Sequence, residues 1–301
     1  MQATSPVAGS PLAWWLAARP WSFTISLAPV LAGSALSILH GHGMHVGIAA
    51  AALLASILIH AGTNLQNDVG DFRRGADGAG RLGPPRATTE GWLTAGQVQT
   101  AASLCFAAAF IPGSYLVMQG GWPIIAVGVA SVIAGAIYTA GPRPVAYSGW
   151  GEIFVTVFFG LVAVGGMYYL HAGTLGATAL VAGAALGLMA SAVLVVNNLR
   201  DIESDRRIGK NTLAVRCGPA FTVREYAVLM YAPFALALVL AAEERSAALL
   251  APLVLLPWTF RLVARVQREP AGAWLNSALA ATAKLGLAFA LLLSLGAALG
   301  R

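Results

Sequence analysis

Nine long apolar runs leave this chain few ways to fold. They lie at roughly 22–40, 46–66, 97–117, 121–139, 151–171, 174–196, 221–242, 246–262 and 278–299. Runs of about 20 apolar residues are long enough to cross a hydrocarbon core as helices. In lipid every backbone polar group needs an internal partner, and the helix supplies it. Hydrophobic residues make up 58% of the chain and charged residues only 10%. Soluble domains carry about 25% charged residues, so a large soluble core is excluded. The reading is an all-α polytopic membrane bundle of nine transmembrane helices. It forms a single domain over 1–301, with 1–20 as a cytoplasmic or interfacial segment. Pro29, Pro112 and Pro233 fall inside runs and predict kinks. Stretches such as "VAGAALGLMASA" predict close helix crossings, because small residues let backbones approach in lipid.

The basic residues orient the bundle. With a cytoplasmic N-terminus, 15 of the 18 Lys and Arg fall on the cytoplasmic side. Only Arg245 and Arg301 fall opposite, and Lys284 lies in the last run. The net charge of +6 is therefore read as positive charge held at one face of a lipid bilayer, with no nucleic acid partner. The location is a bacterial-type inner membrane, with the polar loops cytoplasmic. Trp14, Trp15 and Trp21 suit an interfacial belt. Cys105 and Cys217 show neither metal-ligand spacing nor a disulfide framework. The N-terminal residues lack the basic start and cleavage site of a signal peptide.

Two polar stretches interrupt this apolar chain. "NLQNDVGDFRRGAD" (64–77) ends the second run, and "NNLRDIESDRRIGK" (197–210) ends the sixth, on the same side. Asp68 and Asp71 are three apart, Asp201 and Asp205 four apart, so each pair shares a helix face. Two such faces meeting at one pocket would gather four carboxylates at a membrane edge, which is unfavourable without compensation. Mg²⁺ answers that need: it takes oxygen ligands and binds through one or two carboxylates plus substrate phosphates. A diphosphate held through metal follows, with Arg73, Arg74, Arg200, Arg206 and Lys210 near enough to neutralise phosphate. For either stretch alone, a solvated loop carrying positive-inside charge explains the residues as well. The repeated pattern on one side favours the site.

These stretches also resemble a known family. "NDVGDFRRGAD" and "DIESD" are similar to the two aspartate motifs of the UbiA superfamily of membrane prenyltransferases. "GAD", "RLGPPRATTEGWLT", "YTAGPRPVAYSGWGEIFVTVFFG" and "NNLRDIESDRRIGKNTLAVRCG" resemble its menaquinone branch, the 1,4-dihydroxy-2-naphthoate polyprenyltransferases. The likeness spans roughly residues 15–300; Val69 departs from the Tyr usual in that branch. It implies a UbiA-like bundle whose central cavity opens to the cytoplasmic face. It implies Mg²⁺-dependent transfer of a polyprenyl group from polyprenyl diphosphate to an aromatic acceptor, giving a demethylmenaquinone precursor.

The roles then distribute as follows. Asp68, Asp71, Asp201 and Asp205 are the catalytic, metal-binding carboxylates, with Asp77 as a further metal candidate or else a capping residue. Asn64, Asn67, Arg73, Asn197, Arg200 and Lys210 are candidate diphosphate ligands. Arg81 and Arg86 lie in a loop that can cover the site. Tyr138 and Tyr147 are candidates on the acceptor side, and Glu152 is a cavity carboxylate or a helix-dipole partner. The alternatives are another aromatic acceptor such as 4-hydroxybenzoate, a membrane terpene cyclase, or a small-molecule transporter. Transporters place ionisable groups near the midplane, whereas these acids cluster at one face. Two features stay outside the site: His40, His42 and His45 in a Gly-rich turn, and Lys284, close enough to the cytoplasmic end to snorkel.

Overall fold

The computed structural model describes residues 6–75, 82–139, 141 and 144–300. Among these the chain is all helical: α1 (Pro11–Ala18), α2 (Thr24–Leu39), α3 (Val46–Arg73), α4 (Ala95–Gly120), α5 (Trp122–Ile137), α6 (Gly151–Ala172), α7 (Ala177–Arg200), α8 (Ile202–Arg207), α9 (Leu213–Glu243), α10 (Ala247–Arg268) and α11 (Leu275–Leu299). Among the described residues, eight segments are long and apolar enough to cross a membrane; the first joins α1 and α2 as Pro11–Leu39. Helix α5 is the short one. Its 16 residues reach about 24 Å at 1.5 Å per residue, under the roughly 30 Å of a hydrocarbon core.

Local chemistry sets the helix ends that matter. Helix α3 runs past its apolar stretch to Arg73 and stops where Gly75 takes φ +67, a left-handed conformation that suits glycine. The first polar stretch is therefore helical through Asp71. Thr94 and Gln97 form a capping box that starts α4. Helix α7 ends at Arg200, with Asp201 as its cap and α8 following at once. At Gly209 (φ +71) the chain turns back, and the Lys210 amide donates to the Asp205 carbonyl at 2.9 Å. That reversal returns the Lys210 side chain to Asp205.

The largest buried cluster joins α2, α6, α7, α9 and α11 through Leu36, Val164, Leu186, Tyr226, Met230 and Phe289. Glycines bring α6 onto α7. A Cβ on Gly160 would collide with the Gly183 carbonyl oxygen, and one on Gly187 with that of Thr156. At this crossing Thr156–Val162 widens into a π-helical turn, a feature frequent at functional sites. Helices α3, α4 and α5 stand on the other side, and a cavity separates the two groups.

Candidate active site

The cavity has a volume of about 1180 Å³ and is lined by α2 to α7 and α11. Its polar end gathers residues from both motif stretches: Asn64, Asn67 and Asp71 from α3, and Asn197, Arg200 and Lys210 from the α7–α9 region. Asn64, Asn67 and Asp71 recur at helical spacing, so one face of α3 presents them together. Asn64 Nδ2 donates to the Ala18 carbonyl (3.0 Å) and Ser22 Oγ (3.1 Å), and Asn67 Oδ1 accepts from Thr139 Oγ1 (2.7 Å).

Each carboxylate expected at the site has distinct partners. Asp71 accepts from Arg86 (2.7 Å) and from the Tyr147 hydroxyl (3.0 Å). Asp201 takes Arg200 in a two-pronged pair at 2.8 and 2.6 Å. Asp205 Oδ1 pairs with Lys210 at 3.2 Å. Asp68 differs: it is 1% exposed, and its oxygens accept from the Ala87 and Thr88 amides at 3.0 and 3.2 Å and from the Thr88 hydroxyl. It holds the loop after α3 in place and does not line the cavity. Asp201 and Asp205 sit behind the wall, each facing it through its cation.

The two motifs are electrostatically one site. Burial pushes Asp205 up to about 6; Lys210 opposes this, while Asp201 and Asp71 add to it. Burial works against the charge of Lys210, but Asp205, Asp71 and Asp201 outweigh it and raise its pKa. Tyr147 bridges the halves. Its hydroxyl holds Asp71, and its ring lies 5.1 Å from the Arg74 guanidinium and 5.7 Å from the Lys210 ammonium. Burial first, then Asp71, raises its pKa.

Other placements depart from the expectations. Arg73 is exposed and donates to Gln99 at 3.4 Å, away from the cavity. Arg74 ties α3 to the Thr139 and Gly141 carbonyls at 2.7 and 2.8 Å. The buried cation facing Asp71 is Arg86, from the loop. Asp77 and Arg81 lie outside the described residues. Tyr138 lines the cavity and starts an aromatic wall with Phe154 (5.6 Å) and Phe158 (4.6 Å beyond). Glu152 lines it too and accepts from Asn198 at 2.8 Å. Val69 is fully buried against Ala13, Leu65 and Ala87, outside the cavity.

Sequence reading passed over two residues that line the cavity. His60 lies on the cavity face of α3, and its ring nitrogens meet Ser22 and Ser26 at 3.2 and 2.9 Å. A histidine inside an apolar run, four before Asn64, was the available signal. Asn276, on α11, accepts from Arg200 (2.7 Å) and donates to the Leu82 carbonyl (2.7 Å). No local pattern marks it.

Among the described residues no three His, Cys, Asp or Glu are grouped closely enough to hold a metal by themselves. The donor set still fits a hard divalent cation. It consists of oxygens, and Asp205 Oδ2 is buried without a hydrogen-bond partner among the described residues. Mg²⁺ needs only one or two carboxylates when phosphate and water complete its shell.

The family model described as the UbiA prenyltransferase family matches residues 26–284. The chain belongs to the UbiA prenyltransferase family. It is 38% identical over 238 residues to the 1,4-dihydroxy-2-naphthoate octaprenyltransferase of Haemophilus influenzae, covering 74% of this chain and 77% of the relative. It is also 38% identical to the Escherichia coli protein of that name, covering 72% of each. The fold is similar to a UbiA homolog from Archaeoglobus fulgidus solved bound to GPP and Mg²⁺. The TM-score there is 0.66 at 16% identity, over 94% of this chain and 99% of that one.

Proposed function

We propose that this protein transfers a polyprenyl group from polyprenyl diphosphate to 1,4-dihydroxy-2-naphthoate, a step of menaquinone synthesis. The likeness to naphthoate octaprenyltransferases over most of both chains carries the acceptor. The convergence of the two aspartate motifs on one cavity carries the chemistry. In this reading Asp71 and Asp205 hold Mg²⁺, with Asn67 and Asp201 adjoining. When bound, the ion supplies charge stabilisation to the departing diphosphate.

The chain's own residues do the rest. Arg86, Arg200 and Lys210 line the polar end and neutralise phosphate. The allylic C–O bond breaks and diphosphate leaves with the electron pair; the electron-rich ring then attacks the allylic cation. The ring regains aromaticity when the attacked carbon releases its substituent and keeps the bonding pair: a proton, or carbon dioxide where that carbon bears the carboxylate. Tyr138, Phe154, Phe158 and Phe159 line the cavity next to the polar end. Their ring faces favour a passing cation, and the apolar lining excludes the water that would quench it. The apolar remainder, reaching Val117, Met118, Ile124 and Leu170, accommodates the prenyl tail. The split of basic residues supports an orientation with the N-terminus and the motif end on the cytoplasmic side and the bundle in the inner membrane.

Competition tests the assignment. Purified protein receives Mg²⁺, one polyprenyl diphosphate and equal dihydroxynaphthoate and 4-hydroxybenzoate, and products are identified by mass. The prenylated naphthalene product is expected to dominate. Preferential prenylation of the benzoate, or a cyclised hydrocarbon, would refute the acceptor.

A further inference from the structure

Among the described residues, five cationic side chains line the cavity: Arg19, Arg86, Arg200, Lys210 and Lys284. Arg86, Arg200 and Lys210 each pair with a motif carboxylate. Lys284 does not. Among the described residues it makes no hydrogen bond and no ion pair, and its side chain is exposed. It lies about 14 Å along α11 from Leu275 and about 22 Å from Leu299, at 1.5 Å per residue. That depth exceeds the reach of a lysine that only needs the interface, so snorkelling from the helix end does not account for it.

A lysine in a membrane span normally faces a partner or a ligand. The cavity's acidic residues are engaged elsewhere, Asp71 by Arg86 and Tyr147 and Glu152 by Asn198. The same face of α11 carries Asn276, the partner of Arg200, about 12 Å nearer the motif end. Lys284 thus stands beyond the polar end, on a wall otherwise formed by Leu279, Ala280 and Ala283. A diphosphate belongs at the polar end, and a prenyl tail carries no charge. Among the reactants of the proposed transfer, the anion left to meet Lys284 is the carboxylate of the acceptor.

We infer that Lys284 binds the carboxylate of the aromatic acid acceptor and sets its ring between the diphosphate end and the lysine. The inference rests on the naphthoate reading above. It makes Lys284 a substrate-binding residue that favours aromatic acids over the same ring without the acid.

The test compares the natural chain with Lys284→Met and Lys284→Arg in detergent. Tryptophan quenching gives the affinity for dihydroxynaphthoate and for 1,4-naphthalenediol; steady-state assays give KM for both substrates of the transfer. Lys284→Met is expected to weaken naphthoate binding and raise its KM about ten- to a hundredfold, the loss of a charged hydrogen bond. Diol affinity and the KM of the prenyl diphosphate should stay unchanged, and Lys284→Arg should recover most of the loss. Unchanged naphthoate affinity in Lys284→Met overturns the inference. So does an equal loss for the diol, or a rise in prenyl diphosphate KM instead. Naphthoate bound but not prenylated by the natural chain refutes the function while leaving this comparison decisive; naphthoate not bound at all refutes both. Addition of a long-chain fatty acid separates a lipid carboxylate from the acceptor: displacement of naphthoate at equal concentration assigns Lys284 to lipid and overturns the inference.

Discussion

The cations of the site divide by where their side chains reach. Arg73 belongs to the first motif stretch, yet it faces Gln99 from the outer side of α3. Arg86 lies well along the following loop and is buried against Asp71. Arg73→Ala should leave turnover within about twofold, as exposed polar contacts contribute little. Arg86→Ala should cut turnover by orders of magnitude and lower thermal stability, because a buried pair broken on one side costs about 3–5 kcal/mol. Steady-state rates and detergent melting curves check both. The carboxylates were legible because helical spacing pairs Asp68 with Asp71 and Asp201 with Asp205. Their separate fates were not. Asp68 is claimed by the amides of Ala87 and Thr88, and no spacing rule announces that a distant loop will fold back onto a helix.

At the scale of elements, the apolar runs located the spans well, since length and hydropathy are what a membrane selects. The ends were less visible. Helix α3 continues through the polar motif to Arg73 because nothing before Gly75 stops it. The π-helical turn of α6 had no sequence signature, although the phenylalanines it presents are cavity residues. Its position depends on Gly160, Gly183 and Gly187, whose backbones nearly touch the facing helix. Gly187→Val should force α6 and α7 apart and tilt Phe158 and Phe159 off the cavity. The expected outcome is a lower melting temperature and at least a tenfold loss of turnover, beyond the roughly 1–3 kcal/mol typical of overpacking. Full activity in a stable Gly187→Val protein would mean that the crossing does not shape the site.

For the whole molecule, the fold class was legible because nine apolar runs allow little else, while the cavity was not, because it arises between helices distant in sequence. Orientation rests on the basic residues and is open to direct test. Cysteines replacing Glu90 or Glu203, both exposed near the motif end, should resist an impermeant thiol reagent in intact cells once Cys105 and Cys217 are removed. A cysteine replacing Glu243, exposed at the other end, should react; the reverse pattern inverts the topology. Both motifs are read as one metal-dependent diphosphate site. Calorimetry with a non-hydrolysable polyprenyl diphosphate analogue tests it most directly, using the natural chain, Asp71→Asn and Asp205→Asn, each with Mg²⁺ and with EDTA. Tight binding is expected only for the natural chain with Mg²⁺, and a loss of at least two orders of magnitude in affinity in every other case. Undiminished binding in EDTA, or in either variant, would contradict it.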